Sequence, residues 1–143
     1  MFVDSELIDI RVYYRKTQNG KKSDYDGYTE KEFEELKSAG EKEAIKDLAC
    51  LKIKMKELTW GLHNRIQEAG IIENDNGERH WDYGLFKEKR LELLINSWDA
   101  VDKDGKPVAP TVNNIRMLAP EIGEAISRAY EEGAYLSEEE EGN

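Results

Sequence analysis

The sequence contains few of the residues that cross-link small domains or bind metals. Among its 143 residues it has a single cysteine, Cys50, and only two histidines, His63 and His80. One cysteine cannot form an internal disulfide, so nothing in the sequence indicates an oxidising compartment. The two histidines belong to no recognised zinc spacing. We therefore expect no disulfide framework and no metal site, and we interpret Cys50, between apolar neighbours, as an inert thiol.

Long apolar segments are missing as well. No run approaches the length of a membrane span, and the first residues lack the basic region and the apolar run of a signal peptide. We therefore expect a protein that is soluble and intracellular at synthesis and has no membrane partner. The length is typical of a single domain that can bury one ordinary core.

Basic residues are outnumbered in this chain. It has 31 acidic residues against 21 lysines and arginines, which gives a formal net charge of −10. Nucleic acid is therefore not an expected partner, because phosphate binding depends on clustered basic side chains. Lys52, Lys54 and Lys56, called here the lysine row, nevertheless alternate along a presumed strand. The row is either a solvated strand face that also blocks edge-to-edge pairing, or a contact surface for an acidic partner.

Motifs for chemistry are weak throughout. Isolated glycines form no phosphate-binding loop, and the serines lack a glycine-framed elbow with a histidine at a plausible distance. Asp99, Asp102 and Asp104 beside Gly105 resemble the start of a calcium loop, but the closing glutamate is absent and prolines interrupt the segment. A plain turn is the better interpretation. We expect no catalytic residues, no cofactor and no bound metal, and hence a protein that is not an enzyme.

Two segments have the alternation of strands. Residues 7–15 and 50–58 place apolar and β-branched side chains at every second position. Sequentially neighbouring strands usually lie side by side, so we expect these two to pair. The predicted fold class is α+β and mostly helical, with a small N-terminal two-stranded antiparallel hairpin packed on four to five helices. We expect residues 1–137 to form one domain, with a strand–helix–strand part at 1–57 and a helical part at 58–137, and residues 138–143 to form a disordered acidic tail.

Helix boundaries are marked by capping residues. Thr29 with Glu32 has capping-box spacing, and Thr59, Asp82 and Thr111 can each cap a later helix. The clearest amphipathic pattern covers residues 83–98, where apolar residues recur at i, i+3, i+4 and i+7. The rest of the helix surface is expected to carry the charged residues, among them Lys87, Glu88, Lys89, Arg90 and Glu92. We expect this helix to be the centre of the core. A last helix from 121 to about 135 should bury Ile122, Ala125, Ile126 and Ala129.

The three tryptophans are the best candidates for contact residues. Trp60 and Trp98 are predicted at helix ends with apolar neighbours, which favours burial in the core. Trp81 lies in a loop, followed two positions later by Tyr83, and is the better candidate for an exposed anchor. Even for Trp81, packing on its own helix is slightly favoured over contact with a partner. The candidate partner-binding residues are therefore Trp81 and Tyr83, together with the lysine row.

An ordered set of motifs resembles the tail assembly chaperones of long-tailed bacteriophages. The match extends over residues 50–135 and is closest over residues 91–126. Its motifs are Leu58-Thr-Trp60, Lys87-Glu-Lys-Arg-Leu91, Ile95-Asn-Ser-Trp-Asp99, Asp104-Gly-Lys-Pro-Val108, Thr111, Asn114-Ile115 and Leu118-Ala-Pro-Glu-Ile122. Each piece is a common turn or cap, and only their order is distinctive. The first 45 residues match no family in this way.

The resemblance implies a non-enzymatic binding protein in the host cell cytoplasm. Such chaperones coat the aggregation-prone tape-measure protein and recruit tail-tube subunits, then leave before the virion is complete. Two alternatives remain open. One is a structural virion component of the neck, tail or baseplate, and the other is an acidic host-directed inhibitor that mimics nucleic acid. Partners are expected to be other phage structural proteins, and a homo-oligomer is left open.

Overall fold

The computed structural model describes residues 1–3, 6–17 and 25–141, with side chains described as far as residue 133. Within these ranges the chain forms six strands and five helices. The strands are β1 (Ile8–Lys16), β2 (Tyr25–Thr29), β3 (Ala49–Met55), β4 (Ile71–Glu73), β5 (Arg79–Trp81) and β6 (Ile95–Trp98). The helices are α1 (Glu30–Ser38), α2 (Trp60–Gly70), α3 (Tyr83–Leu94), α4 (Val112–Arg116) and α5 (Pro120–Glu141).

The main sheet has four antiparallel strands in the order β2-β1-β3-β6. The expected pairing of β1 with β3 is confirmed, with Ile10 opposite Ile53 and Val12 opposite Leu51. The predicted fold class is wrong, however, because the sheet is twice as wide as a two-stranded hairpin and the domain is not mostly helical. Both additional strands lie where the sequence pattern for a strand is weak. β2 is a short segment containing Gly27, and β6 follows directly on a helix.

The predicted helix 83–98 ends early, and its last four residues form β6. Ile95 closes α3 with a bond from its N–H to the Leu91 carbonyl, and then takes extended dihedral angles. β6 pairs with β3, placing Trp98 opposite Ile53, with an irregularity in register between Lys54 and Met55. The apolar spacing is compatible with a helix, but strand pairing prevails because β3 would otherwise leave a row of backbone donors and acceptors unpaired.

Helix α5 covers the inner face of the sheet. It contacts both β1 and β2, and its buried residues include the predicted Ile122, Ala125, Ile126 and Ala129. The side chains with the lowest exposure belong to the sheet, α3 and α5: Val12, Ile53, Met55, Leu94, Ala125 and Ile126. The apolar residues predicted for the segment 83–98 do enter or contact this core, with Leu91, Leu94 and Ile95 buried and Phe86, Leu93 and Trp98 packed against it. The core is shared by the sheet, α3 and α5, and Leu94 is the α3 side chain that is fully buried.

A close approach fixes α5 against the edge strand. A Cβ atom added at Gly27 of β2 would lie 2.7 Å from the backbone oxygen of Glu121 and 3.3 Å from the Cβ of Ala125. Arg128 of α5 also donates to the carbonyl of Gly27 and to the carboxylate of Glu32 in α1. The glycine thus allows α5 to pack more tightly on β2 than any side chain would permit.

The predicted caps are confirmed. The side chains of Thr29, Thr59, Asp82 and Thr111 each accept a bond from a backbone N–H in the first turn of the following helix. Thr29 and Glu32 form a complete capping box. Because Thr29 is fully buried at the end of β2, its cap also fixes the corner at which the edge strand turns into α1.

None of the helices in the described part of the chain combines the length and hydropathy that a bilayer span requires. Helix α5 runs to Glu141, beyond the expected end near residue 135. Residues 142–143, and the side chains from 134 onward, lie outside the described residues, so the disorder of the 138–143 tail stays a prediction. The single domain over residues 1–137 also stays a prediction. Its expected helical part, 58–137, nevertheless contains three strands.

Candidate partner-binding surface

The start of α3 is held against the end of α2 by a small hairpin. β4 and β5 pair around the turn at residues 74–77, where Asn74 Oδ1 accepts from two backbone N–H groups and Gly77 has a φ of 77°. The N–H of Asp82 then donates to the carbonyl of Gly70 at 2.7 Å. The hairpin therefore places Trp81 directly over the last residue of α2.

Trp81 is docked on one side and open on the other. Its side chain is 47% exposed, although a Cβ added at Gly70 would lie 2.5 Å from the indole ring. The ring also contacts Phe86, at 5.1 Å between ring centroids and an interplanar angle of 47°. One side of the Trp81 ring thus packs on the neighbouring helices, and the other side is exposed. Both features were considered for Trp81 from the sequence.

Tyr83 extends this surface. It is 49% exposed and stacks on Phe86 with ring centroids 5.8 Å apart. The Nζ atom of Lys87 lies 4.8 Å from the centre of the Tyr83 ring and is itself bound by the Glu124 carboxylate. We call the three rings of Trp81, Tyr83 and Phe86 the aromatic corner. Two of its rings are about half exposed, yet each is held by contacts to a neighbouring element.

A buried arginine lies beneath the corner. Arg90 is only 7% exposed, and its guanidinium lies 5.1 Å from the Phe86 ring and 5.6 Å from the Tyr130 ring. It donates to Ser127 and to Glu131 of α5. Burial raises the pKa of Tyr130, and the positive charge of Arg90 opposes that rise. The expectation that Arg90 lies on the exposed surface of the helix is wrong, because two aromatic rings and two acceptors from α5 compensate its removal from water.

The sequence did not single out Phe86, Arg90 or Glu131 as parts of this surface. A signal for the first two was present, since Tyr83, Phe86 and Arg90 are three and four positions apart and so share one helix face. Glu131 could not have been found, because its contact with that face depends on how α5 crosses α3.

The lysine row is exposed on the outer face of the sheet. Lys52 lies opposite Arg11, and Lys54 lies opposite Asp9 on one side and Ser97 on the other. β3 is an interior strand, so the row does not protect a sheet edge as the sequence suggested. The Asp99 carboxylate accepts from the Lys52 amide at 2.8 Å on the same part of the sheet. The face therefore carries both signs of charge, which favours a solvated surface.

The lysine row and the aromatic corner are separate surfaces. The row lies on the outer face of β3, whereas α3 and α5 pack on the inner face. Lys56, at the end of the row, is bonded through its N–H to Leu94 at the far end of α3 from Tyr83. The 12 residues of α3 make that helix about 18 Å long. The five candidate residues thus do not form one site.

Burial in the core was predicted for the other two tryptophans, and the structure shows it, in part, for only one of them. Trp60 is 82% exposed, so its predicted burial is wrong. It begins α2 directly after the Thr59 cap, at a position where its side chain projects from the domain. Trp98 is half-buried against the core, as a strand residue rather than a helix residue, and its ring N–H donates to the carbonyl of Val108.

Candidate sites for metals and reactive groups remain weak. Within the ranges that the structure describes, no group of three or more histidine, cysteine, aspartate or glutamate residues is arranged to hold a metal ion. Asp102 Oδ1 accepts from the N–H groups of Asp104 and Lys106, and Gly105 has a φ of 77°, which is the geometry of a turn. His63 and His80 are both exposed. Burial raises the pKa of the Cys50 thiol, in keeping with an unreactive cysteine.

No protein-family model, curated protein or solved structure matches this chain.

Proposed function

We propose that this protein is a non-enzymatic tail assembly chaperone of a long-tailed bacteriophage, acting in the host cell cytoplasm. Its clients would be the tape-measure protein and tail-tube subunits, and the aromatic corner would be the surface that binds them. The proposal combines the ordered motifs of residues 50–135 with the geometry of the corner. The lysine row is not needed for it.

The aromatic corner is the observation that carries the proposal. Trp81 and Tyr83 leave about half of their surface in water, although Trp81 packs on Gly70 and Tyr83 contacts Phe86 and Lys87. Aromatic side chains that are held in place and half exposed are typical anchors of protein interfaces. Covering the remaining surface of either ring removes about 100 Å² of apolar area from water, which corresponds to roughly 2–3 kcal/mol before the costs of association.

The overall charge also suits an assembly chaperone. A net charge of −10 keeps a complex with an aggregation-prone client in solution by electrostatic repulsion between complexes. A helical client presents apolar side chains at i, i+3 and i+4, which can pack around a pair of projecting rings. The charge and the exposed rings together support binding to a helical client.

Co-expression with the tape-measure protein of the same phage tests the proposal directly. We expect the two proteins to co-purify as a complex of defined mass in size-exclusion chromatography with light scattering, which also reports the oligomeric state. Trp81→Ala should weaken the complex at least 10-fold, in line with the loss of an interface anchor. Trp60→Ala is the matched control, since it removes an indole that is more exposed and lies at the other end of α2. Equal losses from both variants would argue against the corner as the binding surface.

The alternative of a structural virion component makes a different prediction. Mass spectrometry of purified particles would then find the protein in stoichiometric amounts, whereas a chaperone is absent from the finished virion. The inhibitor alternative requires one broad negative face that resembles nucleic acid. The outer face of the sheet, with Arg11 and the lysine row, lends it no support.

A further inference from the structure

One carboxylate oxygen of Glu131 in α5 contacts the aromatic corner in two ways, directly at Tyr83 and through Arg90 at Phe86. Oε1 of Glu131 accepts from the hydroxyl of Tyr83 at 3.1 Å and from Nη2 of Arg90 at 2.9 Å. The Arg90 guanidinium in turn lies 5.1 Å from the centre of the Phe86 ring. Glu131 is thus bonded directly to Tyr83, and through Arg90 it contacts the ring on which Tyr83 stacks.

The ring contacts that the structure describes for Tyr83 come from its own helix, with Phe86 stacked on the ring and Nζ of Lys87 at 4.8 Å from its centre. The side chain is 49% exposed, and its stacking partner Phe86 belongs to the same helix, one turn further on. A half-exposed side chain in such a position retains several rotamers unless a polar contact selects one. The hydroxyl bond to Glu131 supplies that contact from a different helix.

We propose that Glu131 is a positioning residue, which holds Tyr83 in the orientation in which the aromatic corner binds its partner. The effect on binding rests on the function proposed above, but the effect on Tyr83 does not. A ring that is already immobilised loses less side-chain entropy when a partner covers it. Loss of the Glu131 carboxylate should therefore weaken binding roughly 2- to 10-fold, the range expected for immobilising one side chain.

Glu131 also bonds Arg90, so a double-mutant cycle on Glu131 and Tyr83 is needed to isolate the contact between these two residues. Arg90 is almost fully buried, and its Nε atom has no hydrogen-bond partner among the described residues. Removing the Glu131 carboxylate therefore weakens the charge compensation of Arg90 as well as the contact to Tyr83. Tyr83→Phe removes only the hydroxyl bond, so comparing Glu131→Ala in the wild-type chain and in the Tyr83→Phe variant separates the two effects.

The first measurement uses the full chain with isotope-labelled tyrosine and needs no partner. In the wild type, nuclear Overhauser contacts should connect the ring of Tyr83 to Phe86 in a single orientation. Glu131→Ala should average or abolish these contacts, and Glu131→Gln, which keeps an acceptor oxygen, should restore them. Glu132→Ala, which removes the neighbouring carboxylate of α5, is the control and should change nothing. Unchanged ring contacts in Glu131→Ala would overturn the proposal.

The second measurement is the affinity for the tape-measure protein. If Glu131 acts through Tyr83, Glu131→Ala and Tyr83→Phe should each weaken binding, and the double variant should be no weaker than the single variants. A further loss in the double variant, with equal falls in melting temperature in both backgrounds, would show a structural role through Arg90 and contradict the proposal. A wild type that does not bind would overturn the proposed function alone, since the tyrosine contacts still decide the role of Glu131.

Discussion

Replacing Gly27 by alanine tests how α5 is seated on the edge of the sheet. The backbone of Gly27 does not have a positive φ, so alanine fits the strand conformation and should by itself stabilise the fold by about 0.4–1 kcal/mol. The new methyl carbon would, however, lie 2.7 Å from the Glu121 carbonyl oxygen and 3.2 Å from its carbon. These are backbone atoms, so relief requires the whole start of α5 to move.

Overpacking of this kind costs about 1–3 kcal/mol, which outweighs the gain from a less flexible unfolded chain. We expect Gly27→Ala to lower the free energy of unfolding by about 1–2 kcal/mol. In urea denaturation followed by circular dichroism, this is a fall of roughly 0.5–1 M in the midpoint with an unchanged slope. The corresponding fall in melting temperature is about 3–8 °C.

Gly123→Ala is the matched control for that measurement. Gly123 lies in α5, the helix that packs on Gly27, and a Cβ added at Gly123 meets no atom within 4 Å. The substitution should raise the stability by about 0.5–1 kcal/mol, because alanine favours the helix over glycine. If Gly27→Ala were as stabilising as Gly123→Ala, the close contact of α5 with β2 would be refuted.

Three further predictions concern other contacts. Trp98→Ala should lower the free energy of unfolding by about 3 kcal/mol, because it removes a ring that packs against the core. Trp98→Phe keeps a ring and loses only the hydrogen bond to the Val108 carbonyl, so it should cost about 1 kcal/mol. Urea denaturation measures both values. Gly70→Ala should displace the indole of Trp81 and shift its fluorescence to longer wavelength, while an unshifted spectrum would contradict the docking of that ring. Burial raises the pKa of Glu32, but hydrogen bonds from the capped backbone and from Arg128 outweigh it, so the net pKa is lowered from its ordinary 4.5. The carboxylate therefore stabilises the fold above pH 4.5, and this contribution disappears as the pH falls through the lowered pKa. Melting temperatures of Glu32→Gln and the wild type should accordingly differ at neutral pH and converge in acid.

The paired strands β1 and β3 were predictable because their side chains alternate cleanly. Val12, Leu51 and Ile53 are all buried and Lys52 is exposed, as period-two patterning requires. The helix caps were predictable for a similar reason, since Thr29 and Glu32 make a local bond that depends on no distant element. The local β4–β5 hairpin was missed, however, and the assignment of Trp81 to a loop was wrong because that residue ends β5.

Elements that depend on distant partners were missed. Ile95 and Trp98 fit the spacing of the preceding helix, and only the unpaired edge of β3 turns them into a strand. β2 is short and contains Gly27, whose role becomes visible only when α5 is packed on it. In the candidate site, Trp81 and Tyr83 were found from their residue types. Arg90 was predicted to be exposed, because no pattern within α3 shows that α5 supplies Ser127 and Glu131 as hydrogen-bond acceptors.

The contact between Arg128 and Gly27 joins residues 101 positions apart, and it implies a particular order of events during synthesis. The ribosome releases β1 and β2 long before α5 exists, and until then the apolar surface that α5 covers on these strands is exposed. Folding of this part of the sheet must therefore wait until α5 is synthesised, since contacts between distant segments form late. Prematurely terminated chains that lack α5 should accordingly accumulate as insoluble material or be degraded, even though they retain every strand.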